Sequence, residues 1–295
     1  MYGNLKKLKL KDRAVIELNG QDNKEFLQSL VTNNVDLVSD NKSIYAALLS
    51  PQGKYLFDFI IFQNYITKKL SIDCEKKRYP ELIQKLNLYK LRNKIDININ
   101  NDITIYGIYG SDSSKIILNL KMNNQEGSTK SIKNNIYIVD PRNKKLGIRI
   151  YIVKNNFSKE FDTILNGSSS ELEYNRIKLK IPKPEIDLEI EKSFIIENNF
   201  EEMNCIDFNK GCYIGQENTA RQKYRGTAKR KLALVKINGE KINNGTKIYH
   251  NEKIIGTMRS SCKNIGLASI RTDIYNDYKK NKLKIKHLDS EIEFL

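Results

Sequence analysis

Beyond Lys231 the chain is written in short β-runs, and this constrains its fold more than any other feature. The pattern predicts strands over 232–237, 247–250, 253–259, 266–271 and 283–288, with turn signals at Asn238-Gly239 and Asn243-Asn244-Gly245. Strands this short bury an apolar face only by closing on one another, so the tail is expected to be a small all-β barrel or sandwich. The preceding residues have another texture, in which strand-like and helix-like periods are interspersed. The boundary falls near residues 226 to 231, giving expected domains over 1–228 and 229–295.

In the longer region, 13–18 reads as a strand, and Gly20-Gln21-Asp22 opens a helix with Phe26, Leu27 and Leu30 on one side. Two apolar runs, 44–49 and 55–62, flank Ser50-Pro51-Gln52-Gly53 and predict a hairpin. Further on, strands are expected over 70–73, 103–108, 136–139 and 146–153. Helices are expected over 75–88, 112–120, 156–165 and 171–179. Asp112 would cap the second of these helices, and Pro182 and Pro184 close off the last. Gly167-Ser168-Ser169-Ser170 reads as a hinge. Hairpins in place of strict strand-helix alternation point to antiparallel sheets, hence an α+β class.

Fifty-one Lys and Arg against 35 Asp and Glu give a net charge of +16, which favours anionic partners without choosing among them. Much of this reads as compositional bias toward Lys, Asn and Ile, as in Asn98-Ile99-Asn100-Asn101. The longest apolar stretch, 57–62 with Asp58 inside it, falls far short of the roughly 18 residues of a membrane span, so no membrane partner is expected. Cysteines at 74, 205, 212 and 262 form no C-x-x-C pair and have only two histidines to help them, so no metal site is expected. Met1 to Lys11 lack an apolar leader. A reducing cytoplasm is the expected location.

The segment richest in chemistry is Lys210-Gly211-Cys212-Tyr213-Ile214-Gly215-Gln216-Glu217, followed by Arg221 and Tyr224-Arg225-Gly226-Thr227. Two glycines bracket Cys212, and 216–224 favours helix, with Glu217 and Arg221 as an i,i+4 pair. Cys212 then lies just before a helix N-terminus and beside Lys210, where positive potential favours thiolate. A lone cysteine can equally be a small buried hydrophobe, and no histidine lies near in sequence to act as a base. Cys74, Cys205 and Cys262 sit in apolar or strand-like surroundings and are expected in the core.

This motif, with Ala220-Arg221 and Tyr224-Arg225-Gly226, resembles the signature of the YgfZ family. Its members are folate-binding iron-sulfur assembly proteins related to the glycine-cleavage T-protein aminomethyltransferase. Thr32-Asn33-Asn34-Val35 after Phe26-Leu27-Gln28, Leu48 to Lys54 with Asp58 after it, and Asp140-Pro141-Arg142 before Leu146-Gly147 resemble other family segments. The resemblance implies a T-protein-like ring of antiparallel α+β subdomains that binds folate, closed by a carboxy-terminal β-barrel. It implies a tetrahydrofolate-dependent accessory factor for assembling or repairing iron-sulfur proteins, including tRNA-modifying enzymes, with those clients or their assembly machinery as partners. Cys212 is the expected reactive group with Lys210 beside it, and Asp58, Tyr174, Gln216, Glu217, Arg221 and Arg225 the expected folate-binding residues. Two departures bear on mechanism: Phe57-Asp58 stands where the T-protein has two acids, and Lys180 where it has a pterin-binding glutamate. Folate-dependent one-carbon transfer is therefore the alternative reading. A non-catalytic tRNA-binding module is a third, motivated by the run of basic residues from Arg221 to Lys231.

Overall fold

Apolar residues at every second position, where a strand must bury one face, decide most of this architecture. A computed structural model of the chain describes residues 4–64, 67–154, 159–250, 252–281, 284–287 and 290–295. These fall into two compact units. The first holds Met1–Leu49, Leu56–Ser168 and Met203–Ile214; the second holds Ser50–Tyr55, Ser169–Glu202 and Gly215–Leu295. This grouping differs from a division at 228/229, because segments well before the barrel cluster with it. The chain leaves the first unit within the Gly167-to-Ser170 stretch read as a hinge.

The strands of the first unit are β1 (Lys6–Lys9), β2 (Arg13–Gly20), β3 (Ile44–Leu49), β4 (Tyr55–Gln63), β5 (Leu70–Glu75), β6 (Ile95–Asn100), β7 (Ile103–Tyr109), β8 (Thr129–Ile132), β9 (Asn135–Val139), β10 (Ile148–Val153) and β11 (Leu165–Asn166). They form a five-stranded sheet in the order β3-β4-β5-β2-β6 and a six-stranded sheet in the order β11-β1-β7-β10-β9-β8. Except for the parallel pairing of β1 with β11, the registered strand pairs of both sheets are antiparallel, as hairpin connections require. Helices α1 (Asn23–Gln28) and α2 (Tyr79–Lys90) close one face of the five-stranded sheet over Ile16, Leu18, Leu48, Ile61 and Ile72. Helices α3 (Ser113–Asn119) and α4 (Lys159–Asp162) flank the other sheet, whose core includes Ile108, Ile148, Ile150 and Ile152.

Several elements differ from expectation. The helix expected over 75–88 starts later: Glu75 still belongs to β5, 76–78 form a 3-10 turn, and α2 opens with a proline in its first turn, where no N–H is needed. Asp112 occupies the cap position of α3 without a side-chain cap bond; its carboxylate instead accepts from the Asn4 amide at 3.3 Å. The Asn-Ile stretch read as compositional bias is β6, with Ile95 and Ile97 buried and Asp96 and Asn98 exposed. Residues 156–158, at the start of the helix expected over 156–165, and Leu283 and Leu288, the ends of the last expected strand, lie outside the described residues.

The second unit is built around β12 (Arg230–Asn238), β13 (Lys247–His250), β14 (Lys253–Cys262), β15 (Ile265–Arg271), β16 (Lys284–His287) and β17 (Ser290–Phe294), in the order β13-β14-β15-β12-β17-β16. The outermost strands β13 and β16 approach one another, so the sheet curls toward a barrel, as the tail pattern predicts. Ala233, Val235 and Ile237 of β12 line its interior, whereas Leu232 and Leu234 pack outward with Ile177 of helix α5 (Ser169–Lys178). Short helix α6 (Pro184–Asp187), helix α7 (Gln216–Tyr224) and helix α8 (Thr272–Asn281), which the tail pattern did not suggest, complete the unit. No described helix is long and apolar enough to cross a membrane.

Candidate functional site

The strip leading to Cys212 is laced onto the first unit by polar side chains. Thr32 Oγ1 donates to the Cys205 carbonyl at 2.6 Å, and Asn33 Nδ2 donates to the carbonyls of Tyr45 and Asn204 at 2.8 and 2.7 Å. The Thr32-Asn33 motif thus ties the strip to β3. Lys210 is turned inward, with 8% of its surface exposed. Its ammonium donates to the carbonyls of Gln28, Val31 and Asn33 at 2.7, 2.7 and 3.0 Å, and it lies 5.3 Å from the Tyr213 ring centroid. These carbonyls belong to the end of α1 and the turn after it, where a helix leaves acceptors without partners. Burial pushes the Lys210 amine down to about 8, and it remains an ammonium at neutral pH.

Lys210 and Tyr213 are buried, while Gly211 and Cys212 between them are exposed. The two glycines have different reasons for being there. Gly215 adopts a left-handed φ of 82° as it caps α7, which a side chain resists. Gly211 has no such backbone requirement, and a Cβ built on it would meet nothing within 4 Å. Replacement of Lys210 by Met should lower stability by about 3 kcal/mol, because three carbonyls lose a charged donor. Chemical denaturation checks this; an unchanged midpoint would show that water replaces the ammonium at no cost.

Asp58 is half-buried on β4 and accepts a hydrogen bond from the Tyr45 hydroxyl at 2.8 Å. Next to it, Phe57 is buried in the apolar core with the Arg78 guanidinium 4.1 Å from its ring centroid. Behind these residues lies a charged seam between the two sheets. Asp73 of β5, fully buried, accepts from Arg13 Nε at 2.8 Å, Arg149 Nη1 at 2.6 Å and the Tyr151 hydroxyl at 2.8 Å. Asp140 is held by both arms of Arg142 at 3.0 and 2.8 Å and by Arg149 Nε at 3.1 Å. Burial alone would raise both carboxyls; the arginines outweigh it and hold them below the usual range. Asp140-Pro141-Arg142 was legible as a motif, but Arg13, Asp73, Arg149 and Tyr151 were not singled out. Their signal is a charge set into an otherwise apolar strand.

In the second unit, Gln216 is half-buried at the start of α7, and Glu217, Arg221 and Arg225 are exposed. The hairpin tip meets this helix: Asn218 Nδ2 donates to the Gln52 carbonyl at 2.9 Å. Tyr174 is half-buried on α5 beside the Leu232 cluster, with the Lys263 ammonium 5.0 Å from its ring centroid. The basic run from Arg221 to Lys231 is partly neutralised by acids remote in sequence. Lys223 pairs with Glu201, Lys231 with Glu202 at 3.5 Å, and Glu197 accepts from the Lys229 amide at 3.0 Å. Of the expected site residues, Lys210, Cys212 and Asp58 belong to the first unit and Tyr174, Gln216, Glu217, Arg221 and Arg225 to the second.

Residues 229–292 match the family model for the CAF17 C-terminal beta-barrel domain. An iron-sulfur cluster assembly factor IBA57 homolog, named mitochondrial, from Dictyostelium discoideum is 31% identical over 252 residues, covering 76% of this chain and 60% of that protein. The tRNA-modifying protein YgfZ of Hamiltonella defensa is 27% identical over 230 residues, covering 76% of this chain and 67% of its own length. The crystal structure of glycine cleavage system aminomethyltransferase T from Bartonella henselae superposes with a TM-score of 0.78, covering 99% of this chain and 84% of that one at 11% identity. Over 76% of its length the chain is similar both to an iron-sulfur cluster assembly factor IBA57 homolog and to a tRNA-modifying protein YgfZ. Its fold is that of aminomethyltransferase T, with the CAF17-type barrel at the carboxy-terminal end. The chain spans 60, 52 and 55% of the length of its relatives from D. discoideum, Neurospora crassa and Mycosarcoma maydis.

Similarity to named relatives corrects the expected location. The relatives from D. discoideum, N. crassa, mouse and human are all named mitochondrial, which overturns a cytoplasmic placement. That expectation rested on unpaired cysteines and on the first eleven residues, and reduced thiols do not distinguish the cytoplasm from other reducing compartments. Among the described residues, no group of three or more His, Cys, Asp or Glu could hold a metal ion.

Proposed function

We propose that this protein serves the assembly or repair of iron-sulfur proteins, with Cys212 as the group that meets the client and tetrahydrofolate or a derivative as cofactor. One observation carries the reading: among four cysteines, Cys212 is the exposed one, held between two buried anchors. Burial pushes Cys74 up to about 12 and Cys205 well above the ordinary thiol range, so both are inert at neutral pH. The names of the relatives supply the iron-sulfur context. An iron or cluster arriving as cargo would find one exposed cysteine sulfur here and take its other ligands from the donor or the client. The partners are therefore iron-sulfur client enzymes or the assembly machinery.

Each unit separately carries groups of the kinds that a folate engages. Asp58, fixed by the Tyr45 hydroxyl, offers a carboxylate to the amino-pyrimidine edge of a pterin. Tyr174 offers an aromatic ring, and Arg221 and Arg225 offer exposed guanidiniums to glutamate carboxylates, with Gln216 and Glu217 shaping the loop. Bound tetrahydrofolate would supply a one-carbon carrier. Aminomethyl transfer itself is less well supported: Phe57 puts a buried ring where a second acid would stand, and the Lys180 carbonyl is taken by Asn199 Nδ2 at 3.0 Å. A tRNA-binding role is weakened by the acids that pair with Lys223 and Lys231 of the basic run.

Titrating the native protein with tetrahydrofolate while mapping iodoacetamide labelling tests the reading. Cys212 should label first, half-buried Cys262 later, and Cys74 and Cys205 only after unfolding. Saturating folate should change the Cys212 rate several-fold. A Cys212 rate indifferent to folate would separate thiol from cofactor and remove the link between them.

A further inference from the structure

The end of α2 combines two features that cost a folded protein something and yield it no packing. Leu88, in the last turn of the helix, and Leu91, the residue that ends it, are 67% and 87% exposed. Leu91 also has φ 43° and ψ −109°, a conformation suited to glycine, which commonly closes a helix. Around them stand Lys90, half-buried, and Arg92 and Lys94, both exposed, and no ion pair within the described residues engages these three side chains. The basic run after α7 differs, because acids from 197–202 cover part of it.

We propose that this helix end is a contact surface for an anionic lipid bilayer, with Leu88 and Leu91 entering the headgroup boundary and Lys90, Arg92 and Lys94 facing the lipid charges. Charge complementarity selects the occupant: the rim is cationic, and a chain carrying +16 is drawn to an extended anionic surface. A second copy of this chain would set cations against cations. The sequence offers no membrane partner because it contains no span, but a surface contact needs only a few apolar side chains and a basic rim.

The test is flotation of the full-length protein with phosphatidylcholine vesicles, with and without phosphatidylglycerol. Wild-type protein should bind the anionic vesicles and not the neutral ones. Leu88→Ser with Leu91→Ser, which keeps every charge, should weaken that binding at least tenfold. Leu91→Gly should raise the melting temperature by relieving the backbone while weakening binding. Equal binding by wild type and the double serine variant would reduce the effect to net charge and overturn the proposal, as would no binding to anionic vesicles at low salt.

Discussion

Cys212→Ser should leave the protein folded, with an unchanged melting temperature, and, under the proposed function, should remove its support of iron-sulfur enzymes. The side chain is exposed, so exchanging sulfur for oxygen costs no packing. Chemistry is lost because a serine hydroxyl has no accessible anion at neutral pH and is a poor ligand for iron. The expected fall in client activity is about 100-fold or more, as when an essential nucleophile is removed. It is measured as the activity of an iron-sulfur enzyme in cells whose own copy of this protein has been replaced by the variant. Full client activity would end the assignment of Cys212, whereas a lowered melting temperature would mean that the loop, and not the sulfur, had been damaged.

Asp73→Ala is expected to cost about 3–5 kcal/mol, a large part of the roughly 5–15 kcal/mol that holds a domain together. The carboxylate balances Arg13 and Arg149 and accepts from Tyr151; without it buried Arg149 and half-buried Arg13 lose their shared counter-charge. Asp73→Asn should cost less, since an amide oxygen still accepts. The same group sets an acid limit. Its folded-state value is lowered by the arginines, against the pull of burial, so its contribution is complete above the unfolded value of about 4 and is lost as pH falls below it. Urea midpoints of wild type should therefore drop below about pH 4, and those of Asp73→Asn should drop less. Parallel pH curves would show that other carboxylates govern acid unfolding.

How much of this was legible in the sequence depends on whether the signal was local. The helix over 216–224 and the hairpin at Ser50 to Gly53 follow from turn residues and short-range periodicity, and both stand where the pattern puts them. β6 was hidden because asparagine and aspartate, poor strand formers, fill its outward positions and mask the alternation of Ile95, Ile97 and Ile99. Strand β1 was hidden by its lysines: Lys6 and Lys7 register against both β7 and β11, so Lys6–Lys9 lies inside a sheet and not at its rim. At the site, Lys210 illustrates the limit. Cys212 lies two residues on in sequence, and that proximity suggested a cation for a thiolate; the partners of Lys210 in space are three carbonyls 177 to 182 residues earlier.

By itself, then, the amino-acid order determined many of the elements, the barrel tail and the motif that carries Cys212, since propensity, turn chemistry and periodicity act over a few residues. Tertiary structure alone decided that the Lys210 ammonium anchors the loop, that Arg13, Asp73, Asp140 and Arg149 neutralise one another between two sheets, and that Gly211 answers no requirement of its own chain. The reason is range. Burial and charge pairing are properties of neighbours in space, and those neighbours arrive from strands whose pairing no single stretch of residues encodes.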